Sequence, residues 1–249
     1  YAIFKMVMKA KILILLPTIN EVDHIFQLYK KILFQKLNTD FLFIDDGSTD
    51  GTWEIIKKIR ENNKKKVFTI RRKKREGLGK AHKDGLHWAY KKKYIYLITM
   101  DSDFAHDPKY IPQLLKRIGK SDLVIGSRHL KKNSTPNWAW FRLFLNKGAY
   151  FVSSLLFNHT FDCTNAFRCY NLKKINNKFI SFCKSNDYDF FFTSLIILNL
   201  KKYKILQLPM IIRGRTAGNS KMQIKHMFKS IYMMFCLFYK IKFIYKNNL

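Results

Sequence analysis

Residues 41–51 read FLFIDDGSTDG, a short apolar run that ends in two aspartates and a glycine-rich turn, and this stretch decides the fold. The run is too brief for a buried helix, so it predicts a strand covered on both faces whose end meets solvent at a polar loop. The same pattern recurs on either side. Residues 11–16 run into Pro17-Thr18-Ile19-Asn20-Glu21, and residues 94–100 run into Asp101-Ser102-Asp103. Residues 67–70 and 122–125 are further strand-like segments. Between the strands, Ile25, Leu28, Tyr29 and Ile32 follow the i, i+3, i+4, i+7 spacing of a helix face, as do Ile111, Leu114, Leu115 and Ile118. The second of these helices is expected to start with Asp107 as its cap and Pro108 at its first position. Ser48 or Thr49 is expected to cap a helix burying Trp53, Ile56 and Ile59. Strands alternating with helices predict one α/β unit with a mostly parallel sheet, whose ligands bind beyond the C-terminal strand ends.

The 249 residues are 47% hydrophobic and 16% aromatic, which excludes a disordered chain. Lys and Arg number 47 against 17 Asp and Glu, a formal net charge of +30. That charge suits an anionic partner: nucleic acid, anionic lipid or a phosphorylated substrate. No zinc finger, RNP aromatic signature or basic zipper accompanies it, so no nucleic acid is expected. Four cysteines without a CxxC pair predict reduced thiols. The apolar run at residues 12–16 is too short for a signal peptide and is expected to be a buried strand. No apolar run reaches the roughly 20 residues of a spanning helix.

In so basic a chain, Glu21, Asp45, Asp46, Asp50, Asp101 and Asp103 all fall at three strand ends. Carboxylates gathered in one crevice repel and need a cation or N–H donors to hold them. Asp101 and Asp103, two apart on an extended segment, point to one side as hard oxygen ligands suited to Mg²⁺ or Mn²⁺. One aspartate is enough for a turn, which leaves Asp46 available for a base amide or a ribose hydroxyl.

PTINE, DDGSTDGT, REGLGKAHKDGL, DSDFAHDP and VIGSR, in this order, resemble the family 2 glycosyltransferases of the GT-A fold, a Rossmann-like, mostly parallel sheet with helices on both faces. Trp138 with Arg142, then residues 162–170 (DCTNAFRCY) and 215–221 (RTAGNSK), are similar to the dolichyl-phosphate mannosyltransferase branch. The resemblance covers about residues 10–222. It implies that Pro17, Glu21, Asp45, Asp46, Asp101 and Arg215 bind the nucleotide sugar, and that Asp101 and Asp103 hold the metal. It also implies that Asp103, Arg128 and Arg142 serve catalysis, and that Arg142, Arg168, Arg215, Ser220 and Lys221 hold the acceptor phosphate. The implied reaction is metal-dependent, inverting transfer of a hexose, mannose from GDP-mannose, to a polyprenyl or dolichyl phosphate. A phosphate acceptor is already anionic and needs cations rather than a base. A saccharide or lipid hydroxyl acceptor would need one, with Asp162 and Asp187 the local candidates. A catalytically silent binding protein on this scaffold has no use for the Asp101/Asp103 pair.

Residues 1–222 are expected to form the transferase domain and residues 223–249 a basic amphipathic helix. On a helix, Lys221, Lys225, Lys229 and Lys240 fall in an arc of about 100°, and Met227, Phe228, Ile231, Met234, Phe235 and Phe238 in another of about 120°. That pattern predicts peripheral attachment to an anionic membrane surface, on the cytosolic face.

Overall fold

The computed structural model describes residues 7, 9–136, 138, 140–212 and 224–244, with the backbone alone at 141, 142, 224–230 and 244. Seven strands, β1 (Ile12–Thr18), β2 (Thr39–Asp45), β3 (Val67–Arg71), β4 (Tyr96–Thr99), β5 (Leu123–Ser127), β6 (Arg168–Asn171) and β7 (Ile205–Pro209), form one sheet in the order β3-β2-β1-β4-β6-β5-β7. All neighbours are parallel except β6, which runs antiparallel between β4 and β5. Among the described residues the helices are α1 (Ile25–Leu33), α2 (Thr52–Asn62), α3 (Leu78–Lys91), α4 (Ile111–Ile118), α5 (Trp140–Phe157), α6 (Phe179–Phe182), α7 (Asp189–Leu200) and α8 (Ile224–Tyr239).

The two-residue period of a strand sorts the core into two layers. Leu13, Leu15, Leu42 and Ile44 join one, with Ala81 and Leu86 of α3 and the apolar length of α7. Ile12, Ile14, Leu16, Phe41 and Phe43 join the other, with α1, α2 and α4. These strand residues are fully or almost fully buried, and each such side chain contributes about 1.5–3 kcal/mol of burial. Both faces are therefore covered, and the chemistry is confined to the strand ends.

The residues expected to line the inner faces of α1 and α4 are the ones buried there. Asp107 accepts the Lys109 N–H at 3.0 Å, with Pro108 opening the 3₁₀ turn that leads into α4. The expected cap of α2 is different. Ser48 gives its hydroxyl to Asp45, and the helix starts later, at Thr52, whose N–H is accepted by Asp50 Oδ1 at 3.0 Å. The turn consumes Ser48 because a buried Asp45 has to be satisfied first.

The C-terminal helix α8 packs on α5 and α7, burying Met234 and setting Phe238 edge-on to Phe157 at 6.0 Å. Phe235, expected on the same apolar face, is exposed instead, together with Tyr232 and Tyr239. Lys221 and the side chains of Lys225 and Lys229 lie outside the described residues. No described helix is long and apolar enough to cross a membrane.

Candidate active site

The ends of β1, β2 and β4 are sewn into one rim. Asp46 N–H reaches Thr18 O at 2.8 Å, and Ser102 Oγ donates to Pro17 O at 2.9 Å. The loop after β1 is bonded to the acidic turn after β2: Asn20 N–H to Ser48 Oγ (2.9 Å), Thr49 N–H to Asn20 Oδ1 (2.9 Å), and Glu21 N–H to Thr52 Oγ1 (2.8 Å). Pro17, Glu21, Asp45, Asp46, Asp101 and Asp103 are thus brought together at one end of the sheet, where the strand-end reading places them.

Their individual roles separate. Asp45 is fully buried and satisfied by Ser48 through its hydroxyl and its N–H (3.3 Å). Asp46 accepts Arg72 Nη1–H (2.7 Å), Glu76 N–H (2.9 Å) and Gly77 N–H (3.0 Å). Its structural task is therefore to hold the loop ahead of α3, a task the sequence left open. Arg72 bridges Asp46 to Asp84 on α3, and Lys80 also pairs with Asp84. Nothing local marked the role of Arg72, because the two carboxylates it joins, Asp46 and Asp84, lie 26 and 12 residues away.

The loop after β4 carries Asp101 at the rim and Asp103 almost buried. Asp103 Oδ1 accepts Ala105 N–H at 3.0 Å. Among the described residues no three His, Cys, Asp or Glu side chains gather into a self-sufficient metal cage. The donor set here is two hard carboxylate oxygens, which suits a cation that keeps waters and substrate phosphate oxygens in its shell.

Arg128, following β5, grips Asp162: Nε–H to Oδ2 at 2.7 Å, Nη2–H to Oδ1, and its own backbone N–H to Oδ2 at 2.9 Å. Burial pushes the Asp162 carboxyl up, but Arg128 outweighs it and holds the group below the usual carboxylate range. Asp162 is thereby a poor base. The charge of Asp101 adds a smaller favourable contribution to the Arg128 guanidinium, after that of Asp162.

Arg168 requires a correction. Expected at the acceptor phosphate, it is fully buried, and its guanidinium is saturated from within. Its N–H groups go to Asn165 O (2.8 Å), Tyr170 OH (3.4 Å), Ser194 Oγ (2.9 Å), Cys163 O (2.9 Å) and Phe191 O (2.7 Å). All five donors of an arginine are accounted for, so none remains for a phosphate. Arg215, Ser220 and Lys221 lie outside the described residues, as does the side chain of Arg142, whose backbone is in the first turn of α5.

The family model described as Glycosyl transferase family 2 matches residues 13–179. The chain is 28% identical over 212 residues to the polyprenol monophosphomannose synthase of Mycolicibacterium smegmatis, covering 84% of this chain and 80% of that protein. It is 29% identical over 222 residues to the dolichol-phosphate mannosyltransferase of Pyrococcus furiosus, covering 88% of this chain and 61% of that protein. The fold is similar to a solved structure of glucosyl-3-phosphoglycerate synthase from Mycobacterium tuberculosis in complex with Mn²⁺, uridine diphosphate and glucosyl-3-phosphoglycerate. There the TM-score is 0.66 at 14% identity, covering 96% of this chain and 82% of that one.

Proposed function

The chain belongs to glycosyl transferase family 2, and on that premise we propose that it moves mannose from GDP-mannose to a polyprenyl phosphate held in a membrane. The relationship to enzymes named for polyprenol and dolichol phosphate supports the acceptor class. The single observation that carries the reading is the pairing of Arg128 with Asp162. A hydroxyl nucleophile needs a carboxylate free to take its proton. Asp162, one of the two candidate bases, is held ionised by a guanidinium instead, which favours an acceptor already carrying negative charge.

Asp101 and Asp103 would hold Mg²⁺ or Mn²⁺, which when bound neutralises charge on a departing diphosphate. The Mn²⁺-bound structural relative supports a divalent cation. Pro17, Glu21 and Asp45 shape the nucleotide side of the rim, and Asp46 shapes it through the loop at residues 72–77. Arg128 supplies positive charge at the end of β5, where it acts on Asp101 as well as on Asp162. Arg142, Arg215, Ser220 and Lys221 are assigned to the phosphates on the acceptor side, without Arg168. In this reading residues 1–222 carry the transferase chemistry, and residues 223–249, whose helix α8 also completes the core, take part in the membrane contact.

The test is to incubate the protein with labelled GDP-mannose, UDP-glucose and polyprenyl phosphate in turn and to partition the products. Label in organic solvent only with GDP-mannose and the lipid phosphate is the expected result. Label entering a water-soluble saccharide instead would establish a hydroxyl acceptor and sink the proposal. Asp103→Asn keeps the side-chain size but removes a ligand charge, so turnover should fall at least a hundredfold with the fold intact. Chelator should abolish wild-type activity and added Mn²⁺ restore it; full activity in excess chelator would remove the metal from the mechanism.

A further inference from the structure

We propose that His106 is a positioning residue that, together with Asn165, ties the Asp101–Asp103 loop to the neighbouring end of β5. The inference rests on the reading of Asp101 and Asp103 as cation ligands, but its geometry stands apart from it. His106 is buried and stacks on Phe167, with ring centroids 5.1 Å apart. Its Nδ1 accepts the N–H of Asp101 at 3.0 Å. That bond fixes the tautomer: Nδ1 presents its lone pair, so Nε2 carries the proton and donates to Asn165 Oδ1 at 2.9 Å. Asn165 is fixed in turn. Its Oδ1 also accepts Phe167 N–H at 3.0 Å, and its Nδ2 donates to Gly126 O at 2.9 Å. One imidazole and one amide therefore join the ends of β4, β5 and β6.

The loop has reason to need such a tie. It holds two carboxylates of like charge two residues apart, and between them and His106 sits Phe104 in the left-handed region at φ 62°, a conformation a bulky side chain avoids. Ser102 pins the loop to β1; His106 pins it from the opposite side. Gly126 lies two residues before Arg128, so the same tie sets the metal loop against the loop that carries the arginine. As with metal ligands whose outer partners orient them, loosening the tie should weaken cation binding without removing a ligand.

The test uses His106→Phe, which keeps a ring against Phe167 and lacks both nitrogens, and His106→Gln, which offers one acceptor and one donor. Three measurements are made on the full chain: melting temperature, amide hydrogen exchange of the 100–106 segment without metal, and Mn²⁺ affinity with GDP present, read by electron paramagnetic resonance. His106→Phe is expected to speed exchange of that segment at least tenfold, with the central strands unchanged, and to weaken Mn²⁺ about tenfold. His106→Gln should recover part of both, and it carries the test if His106→Phe fails to fold. Wild-type exchange and wild-type Mn²⁺ affinity in the variants would overturn the proposal, as would faster exchange spread evenly over the sheet. Asp103→Asn is measured alongside. If it binds Mn²⁺ like the wild type, the cation reading fails, and the exchange of the 100–106 segment alone then decides the positioning role.

Discussion

Arg128 and Arg168 are the same residue type in the same half of the chain, and only their surroundings distinguish them. Arg128 follows a strand end, pairs with one carboxylate and senses Asp101; Arg168 is in the antiparallel strand and turns inward among carbonyls. Resemblance supplies the residue type at a position but not the burial of its side chain, which is why Arg168 was misassigned from sequence. Arg168→Lys cannot reproduce five directed donors and leaves buried carbonyls without partners. It should lower unfolding free energy by about 3 kcal/mol in urea titration, while the folded fraction keeps its acceptor KM. A raised KM with unchanged stability would return Arg168 to the phosphate. His82 offers a second test. It is buried, neither ring nitrogen has a hydrogen-bond partner, and it lies against Phe190 and Phe191. Burial first, and then the charge of Arg168, push its pKa down to about 3 from the ordinary 6.5. Between those values the unfolded chain binds a proton that the folded chain refuses. The stability is therefore complete above about pH 6.5 and declines as pH falls, by about 1.4 kcal/mol per pH unit for this group. His82→Leu should flatten that decline and gain about 2 kcal/mol relative to wild type at pH 5; parallel slopes for the two proteins would show that His82 does not titrate as described.

At the level of elements, most of the sheet was legible because five of its strands are continuous apolar runs ending in polar loops. β6 was not: it has four residues, two of them Arg168 and Asn171, and no apolar run to betray it. α7 was missed for the opposite reason, being apolar nearly all round, so that it has no polar face to mark a helical period. The REGLG segment shows how two elements can be locked by the absence of a side chain. At Gly79, in the first turn of α3, a Cβ would stand 2.5 Å from Asp187 O and 2.9 Å from both Asn186 C and Phe190 Cβ. Lys80 N–H bonds Asn186 O across the same contact at 3.1 Å. Two of those neighbours are backbone and cannot rotate away. Gly79→Ala should therefore destabilise by about 1–3 kcal/mol and free the Lys80 amide to exchange. Gly148, in the exposed middle of α5, has nothing within 4 Å of its Cβ position. Gly148→Ala should stabilise by about 0.5–1 kcal/mol. Equal thermal shifts for both variants would refute the close-contact account.

At the level of the whole molecule, the +30 charge and a partly greasy surface have to be explained together. Trp140 (78% exposed), Phe144 (68%), Phe151 (65%) and Leu155 (73%) fall within about 60° of one another around α5. On the adjacent α8, Tyr232, Phe235 and Tyr239 form a similar exposed stripe while Met234 faces the core. Deleting residues after Met222 would thus remove part of the core along with any membrane contact, and loss of binding in such a truncation would prove little. Substituting the exposed stripes separates the two effects. If these rings enter the lipid interface, each contributes about 1.5–3 kcal/mol on burial, and the basic surface adds about 1 kcal/mol for each Lys or Arg near anionic headgroups. Phe144→Glu with Leu155→Glu on α5, and separately Tyr232→Glu with Tyr239→Glu on α8, replace that gain with a charge repelled by the lipid. Either pair should reduce flotation with phosphatidylserine vesicles at least tenfold without lowering the melting temperature. Raising the salt from 0.1 to 0.5 M should weaken the wild type as well, since the surface charge is then screened. Undiminished flotation of both folded double variants would show that neither helix is the membrane contact, and the +30 charge would then have to act through a different face.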